Sequence, residues 1–119
     1  MLKLRVSNRT RQRVLAERAD IADTSAKRRT GLLKHPGLGR GEGLWIAPCE
    51  GVHTFGMKFP IDVVFLTRKK KVVKVRANMV RGRIAFNLRA HSVLELPVGV
   101  IEDTGTVAGD ELEFEKYEA

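Results

Sequence analysis

The sequence predicts a mainly β fold, a jelly-roll-like sandwich or open barrel of short strands with one short helix near residues 24–34. Several short segments alternate apolar and polar residues with a period of two, and turn residues separate them. Only one segment joins a capping residue to a run of good helix formers, so a βαβ sheet is not indicated. A chain of 119 residues with 43% hydrophobic content can fill one core, and residues 1–119 are expected to form a single domain.

The first half of the chain contains three predicted strands and the helix. Residues 2–6 alternate apolar and basic side chains, which is typical of a half-buried strand, and a second strand is predicted at residues 12–19. Asp23 or Thr24 can cap the helix that follows. After a loop with four glycines at alternate positions, residues 44–46 form the next predicted strand.

The second half of the chain is predicted to be strands joined by turns. Residues 61–66 are nearly all apolar, so this strand is expected to be central and covered on both faces. A basic turn joins it to residues 72–76, which alternate Val with Lys and Arg and complete a hairpin covered on one face. Two more strands are predicted at residues 93–96 and 111–115.

Charge is distributed unevenly along the chain. Lys and Arg number 22 against 14 Asp and Glu, and residues 63–94 contain no acid, whereas acids dominate from Glu95 onward. The interpretation we favour is a solvated basic face, because no nucleic-acid motif accompanies the charge and the aromatic residues are few. The alternative is binding of nucleic acid or another polyanion through Arg68, Lys69, Lys70, Lys71, Lys74 and Arg76.

Several classes of protein are not indicated. Cys49 is the only cysteine, which excludes an intrachain disulfide, and three histidines are few for a zinc module. No segment has the apolar run of a signal peptide or of a spanning helix. We therefore expect a cytoplasmic protein with no cofactor, no metal and no membrane partner, and the oligomeric state stays open.

The segment from Cys49 to Asp62 concentrates aromatic, sulfur-containing and ionisable side chains. In a strand, Asp62 shares a face with Val64 and Leu66, so its carboxylate begins on an apolar side and needs a partner there. In the structural interpretation, Asp62 accepts backbone N–H groups from the turn at residues 55–60. In the functional interpretation, polar and aromatic groups of this segment line a ligand pocket.

The pocket hypothesis predicts a non-catalytic module that binds a small molecule or peptide. Its proposed lining is Trp45, His53, Thr54, Phe55, Met57, Asp62 and Glu95. Glu95 is included as a second buried acid that shares a face with Val93, and Arg28 or Arg29 could be its partner.

Enzymatic activity ranks below binding. A hydrolase-like enzyme would use His53 with Asp62 or Cys49, but that chemistry needs proximity and a third, orienting group. Inert packing is the simpler interpretation of Cys49, because cysteine is among the most commonly buried residues.

A set of ordered motifs resembles a known family, namely Thr30-Gly31-Leu32-Leu33, Gly41-Glu42-Gly43-Leu44-Trp45-Ile46, Val52-His53-Thr54-Phe55-Gly56-Met57, Pro60-Ile61-Asp62-Val63-Val64-Phe65-Leu66, Val93-Leu94-Glu95-Leu96 with Gly99, and Gly109-Asp110. From about residue 14 to 114, the chain resembles domain of unknown function family 192, a set of small prokaryotic proteins. The resemblance implies a compact, mainly β, jelly-roll-like fold with a short helix. It implies no established activity.

Overall fold

The computed structural model describes all residues, 1–119, and contains nine strands and two short helices. The strands are β1 (Leu2–Asn8), β2 (Arg13–Ala22), β3 (Glu42–Ile46), β4 (Gly51–His53), β5 (Ile61–Leu66), β6 (Val72–Met79), β7 (Ile84–Phe86), β8 (Ser92–Leu96) and β9 (Leu112–Glu118). The helices are α1 (Ser25–Thr30) and α2 (Val100–Thr104). Neither helix has the length or the apolar content needed to cross a membrane.

Seven strands form one sheet in the order β6-β5-β8-β3-β2-β1-β9, and β4 and β7 form a separate two-stranded sheet. All neighbours pair antiparallel except β2 and β3, which are parallel. The edge strands β6 and β9 approach each other at one end, where Lys71 and Glu111 form an isolated bridge. The sheet is otherwise open.

The large sheet carries an apolar core on each of its faces, and β5 contributes to both. Val64 and Leu66 belong to one core, which helix α2 covers, while Val63 and Phe65 belong to the other. All six residues of β5 are buried, as expected of a central strand flanked by two others. Because each face of the large sheet has its own core, buried polar side chains on opposite faces have different surroundings.

The prediction of a mainly β fold with a short helix is confirmed, and an open sheet is the form that it takes. The finer jelly-roll description stays a prediction. Helix α1 is shorter than the segment 24–34, because Gly31 has φ +50° and its N–H closes the last turn on the carbonyl of Lys27. Strands β4 and β7 were not predicted, since each has three residues and pairs only with the other.

The acidic and basic blocks of the sequence lie at opposite edges of the large sheet. Acidic β9 pairs with β1, where Arg5 faces Glu115, whereas basic β6 forms the other edge. None of the six ion pairs in the molecule includes a residue of the acid-free segment 63–94. The basic groups of that segment therefore form no close ion pair within the chain, although the basic and acidic edges meet at the Lys71–Glu111 bridge.

Candidate functional site

A cavity of about 310 Å³ lies between the C-terminal end of α1, the β3–β4 connection and strand β8. Its polar side chains are those of Arg28, Arg29, Thr30, Cys49, His53 and Glu95. Its apolar walls come from Leu32, Leu33, Ile46, Val52 and Met57. The volume is at the lower end of the range for small-molecule pockets.

Glu95 is the most unusual group in the cavity. Its strand β8 lies between β3 and β5, so that Leu44 and Val63 are its paired neighbours, and the residue is only 6% exposed. Its carboxyl group forms no hydrogen bond or ion pair with the protein, and burial alone raises its pKa to about 7. A buried carboxyl normally has partners, because its desolvation is otherwise uncompensated.

Helix α1 places two guanidinium groups at the same cavity. The hydroxyl of Thr24 accepts the backbone N–H of Lys27 at 3.2 Å and begins the helix, and Gly31 ends it. Arg28 and Arg29 lie in the last turn, and Arg28 donates to the carbonyl of Asp23 at 3.1 Å. Neither arginine forms an ion pair.

Cys49 and His53 both line the cavity, and no hydrogen bond joins them. The Cys49 thiol donates to the carbonyl of Gly51 at 3.1 Å, and burial raises its pKa, with the charge of Glu95 acting in the same direction. His53 is exposed, and its ring lies 5.5 Å from that of Phe55. A thiol held protonated and without a hydrogen-bonded base is not an activated nucleophile.

Asp62 lies on the opposite face of the sheet and does not line the cavity. Its carboxylate accepts the backbone N–H of Asn78 at 2.8 Å, of Gly99 at 3.1 Å and of Ile101 at 2.9 Å. The expectation that it is buried and held by backbone N–H groups agrees with this geometry. The expectation that the donors belong to the turn at residues 55–60 is wrong, because the side chain points to the α2 side of β5.

Three other residues of the predicted pocket also lie elsewhere. Thr54 is fully buried, and its hydroxyl donates to the carbonyl of Val80 at 2.6 Å and accepts the N–H of Arg83 at 2.9 Å. Phe55 is 51% exposed and faces outward. Trp45 points to the α2 side of β3 and contacts Phe114 edge-on at 5.2 Å.

The structure therefore brings together three of the seven predicted residues, His53, Met57 and Glu95. The prediction failed for Trp45 and Asp62 because alternate residues of a strand point to opposite faces of its sheet. Arg28 and Arg29, considered only as partners of Glu95, belong to the site itself. The sequence offered one signal for them, the basic last turn of a helix that precedes the Gly31 turn.

Two of the basic residues proposed for polyanion binding, Lys70 and Lys74, have contacts within the protein. The Lys70 ammonium lies over the rings of Trp45 and Phe114 at 5.0 and 5.1 Å, and burial together with the charge of Lys116 lowers its pKa. Lys74 donates to the carbonyl of Phe86 at 3.0 Å. Nucleic-acid binding through residues 68–76 stays a prediction.

The molecule contains no group of three or more His, Cys, Asp or Glu side chains positioned to hold a metal ion. Asp62 is separated from Cys49 and His53 by the sheet, so these three residues cannot share a ligand. The cavity offers one carboxyl group, two guanidinium groups, an imidazole, a hydroxyl and a thiol.

Comparison with known proteins identifies the family of the chain. The profile of the family described as an uncharacterized ACR, domain of unknown function family 192, matches residues 6–114. The chain belongs to this family. A UPF0127 protein from Thermococcus sibiricus is 35% identical over 117 residues, which cover 93% of this chain and 75% of that protein.

Two crystal structures share the fold of this family member. A protein of unknown function from Novosphingobium aromaticivorans has a TM-score of 0.79 and 24% identity, covering 93% of this chain and 83% of that one. A candidate transcription regulator from Sinorhizobium meliloti has a TM-score of 0.83 and 20% identity, covering 96% and 94%. At these identities the likeness establishes the fold alone. The family has no established activity.

Proposed function

We propose that the chain is a non-catalytic module that binds a small molecule or peptide in the cavity around Glu95. The observation that carries this proposal is the Glu95 carboxyl group, which faces the cavity without a hydrogen-bond partner in the protein. Such a group destabilises the empty protein when it is charged, and a ligand that donates to it supplies the missing partner. Perturbed ionisable groups in clefts mark functional sites for this reason.

The composition of the cavity defines the ligand that would fit. Glu95 can accept an ammonium or another N–H or O–H donor, and Arg28 and Arg29 can bind an anionic group. Leu32 and Met57, with the other apolar walls, favour a hydrocarbon portion between the two polar ends. The ligand we expect is a small zwitterion, of about the size of an amino acid or the end of a short peptide.

Binding is favoured over catalysis by the same geometry. A hydrolase would need His53 next to a thiolate or a carboxylate, whereas Cys49 donates to a carbonyl and Asp62 is on the other face. The cavity thus contains groups that orient a ligand, and no hydrogen bond joins the Cys49 thiol to His53 or to Glu95.

The test is a thermal-shift screen of free amino acids and dipeptides, followed by titration calorimetry of the compounds that stabilise the protein. Glu95→Gln should weaken binding at least about tenfold, because a charge-assisted hydrogen bond is lost. Arg29→Gln should weaken the binding of compounds with a free carboxylate. Glu102→Gln, an exposed acid outside the cavity, is the matched control and should bind like the wild type.

The pH dependence gives a second readout. Since the pKa of Glu95 is about 7, ammonium ligands should bind more tightly well above pH 7 than well below it, and binding should release a proton. If the ligands that emerge bind Glu95→Gln as tightly as wild type, the proposal is wrong. Failure of every amino acid and dipeptide to stabilise the protein would also contradict it.

A further inference from the structure

The small sheet formed by β4 and β7 exposes an apolar surface. Ile84 and Phe86 are 62% and 59% exposed and alternate with buried Ala85, so they share the outer face of β7. Leu88 follows at 78% exposure, and Phe55 is half exposed beside His53, which pairs with Ile84. We name this surface, made of Phe55, Ile84, Phe86 and Leu88, the β7 patch. Several exposed apolar side chains on one short strand and its flanks favour a site of interaction in a small protein.

Unpaired positive charge surrounds the β7 patch. Arg81 and Arg83 precede Ile84, Arg89 follows Leu88, and all three arginines are exposed. None of them forms an ion pair, and the surrounding sequence from 63 to 94 contains no acid. Glu50 adjoins the patch at the strand end, where its carbonyl accepts the N–H of Asn87.

We infer that the β7 patch docks on an anionic membrane surface. Basic side chains attract such a surface over a Debye length, and apolar side chains enter the region between headgroups and acyl chains. The two signals act together, since either alone gives weak attachment. This inference replaces the expectation of no membrane partner, which rests on the absence of an apolar run typical of a signal peptide or of a spanning helix.

Two other occupants suit the surface less well. A symmetric contact between two copies would gather Arg81, Arg83 and Arg89 of both copies at one interface, and the repulsion among six like charges opposes it. Nucleic acid would use the arginines, but it binds through phosphates and base stacking, and neither uses the aliphatic side chains of Ile84 and Leu88. An anionic lipid surface accounts for both the charge and the exposed aliphatic groups.

The test is co-sedimentation of the full chain with vesicles made of equal parts phosphatidylglycerol and phosphatidylcholine, compared with vesicles of phosphatidylcholine alone. Wild type should bind the anionic vesicles and not the neutral ones, and binding should weaken as salt increases.

The double variant Ile84→Thr with Phe86→Thr keeps every charge and should bind about tenfold less. Arg81→Gln with Arg83→Gln keeps the apolar groups and should bind anionic vesicles more weakly, with a smaller dependence on salt. Thr favours strands, so the first variant should fold, as circular dichroism can verify.

Matched controls alter similar residues elsewhere. Val107→Thr removes an exposed apolar side chain that is not part of the β7 patch. Arg13→Gln removes an exposed arginine outside the acid-free segment. Both variants should bind vesicles like the wild type. Equal binding of wild type and the Ile84/Phe86 variant to anionic vesicles would overturn the inference. So would tight binding of duplex DNA that the variant retains, or a concentration-dependent dimer in sedimentation velocity that it abolishes.

Discussion

The two faces of the large sheet each contain a buried acid, and the two acids have opposite surroundings. On the α2 side, Asp62 accepts three backbone N–H groups, from Asn78, Gly99 and Ile101. On the α1 side, Glu95 has a cavity in front of it and no hydrogen bond. Burial alone therefore does not indicate a functional carboxylate. The distinguishing feature is whether the protein itself satisfies the group.

The local structure explains the difference. The register of β5 and β6 shifts between Ile61–Met79 and Val63–Arg76, which leaves an extra residue opposite Asp62 and turns the N–H of Asn78 toward its carboxylate. The same carboxylate caps the first turn of α2. Glu95 has regular neighbours on both sides, and neither pairing has a register shift that would turn a backbone N–H toward its carboxyl group.

The largest effect is expected for Asp62→Ala. The substitution leaves three N–H groups without acceptors, two of them at the start of α2, and should lower the free energy of unfolding by about 4 kcal/mol. Urea unfolding followed by circular dichroism measures it. A loss below about 1 kcal/mol would show that water reaches these groups and that Asp62 does not organise this face.

Glu95→Gln should have the opposite effect on stability. The pKa of Glu95 lies above its unfolded value, so the folded protein binds the proton more tightly and wild-type stability falls as pH rises from 4.5 to about 7. That shift corresponds to about 3 kcal/mol. The variant cannot ionise, so above pH 7 it should be more stable than wild type by up to this amount, and at low pH the two should agree.

Urea titrations at a series of pH values compare the two proteins, with Glu102→Gln as the control that should retain the wild-type pH profile. A difference in stability between wild type and Glu95→Gln that stays constant from pH 4.5 to 7 would mean that Glu95 is solvated, and the contrast between the two faces would fail. A gain in stability together with lost ligand binding would be the pattern expected of a residue kept for function.

The sequence predicted the buried positions better than their partners. The burial of Asp62 and of Glu95 followed from the apolar residues two positions away on the same strands, and both are buried. The partners of Asp62 could not be found this way, because Asn78 and Ile101 are 16 and 39 residues distant. Their positions depend on a register shift and on the path of the chain into α2.

Only some residues of the cavity could be predicted, because its lining also depends on how distant segments of the chain pair. The pocket hypothesis treats residues 49–62 as one unit, but β4 pairs with β7 and β5 pairs with β6, so the segment divides between two sheets. Only its first portion faces the cavity. Arg28 lies in the last turn of α1, and the turn at Gly31 sets the orientation of this helix against the cavity. The periodicity of the sequence does not predict that orientation.

Asp110 extends the comparison to a third buried acid, one that is stabilised in its charged form. Burial opposes ionisation, but hydrogen bonds from Arg11 at 2.8 Å, Asn8 at 2.9 Å and the N–H of Val107 at 3.1 Å outweigh it and lower the pKa. Because the folded pKa is below the unfolded one, this stabilisation is present at neutral pH and disappears as pH falls through the folded pKa.

Asp110→Asn should therefore cost about 1.5 kcal/mol at neutral pH, since the charge-assisted bonds are lost while an acceptor remains. This cost should become smaller in acid. The two substitutions differ in sign at neutral pH, where Asp110→Asn lowers the free energy of unfolding and Glu95→Gln raises it. Urea titrations at neutral and acidic pH measure both trends. A cost that is independent of pH would show that the hydrogen-bond geometry, and not the charge, stabilises this corner.

The smallest effect is expected at Cys49, which reports the charge in the cavity. Burial raises the pKa of its thiol, and the negative charge of Glu95 adds to this while Arg28 opposes it. Well above pH 7, Glu95→Gln removes that charge and should increase the rate of alkylation by iodoacetamide about twofold, because more thiolate is present. Arg28→Gln should decrease the rate, and Glu102→Gln should leave it unchanged.

All variants should react with iodoacetamide at the same rate when they are unfolded in urea. This control shows that any difference in rate comes from the folded surroundings of Cys49. If Glu95→Gln reacts no faster than wild type, the Glu95 charge does not reach the thiol, and the two groups do not share one cavity.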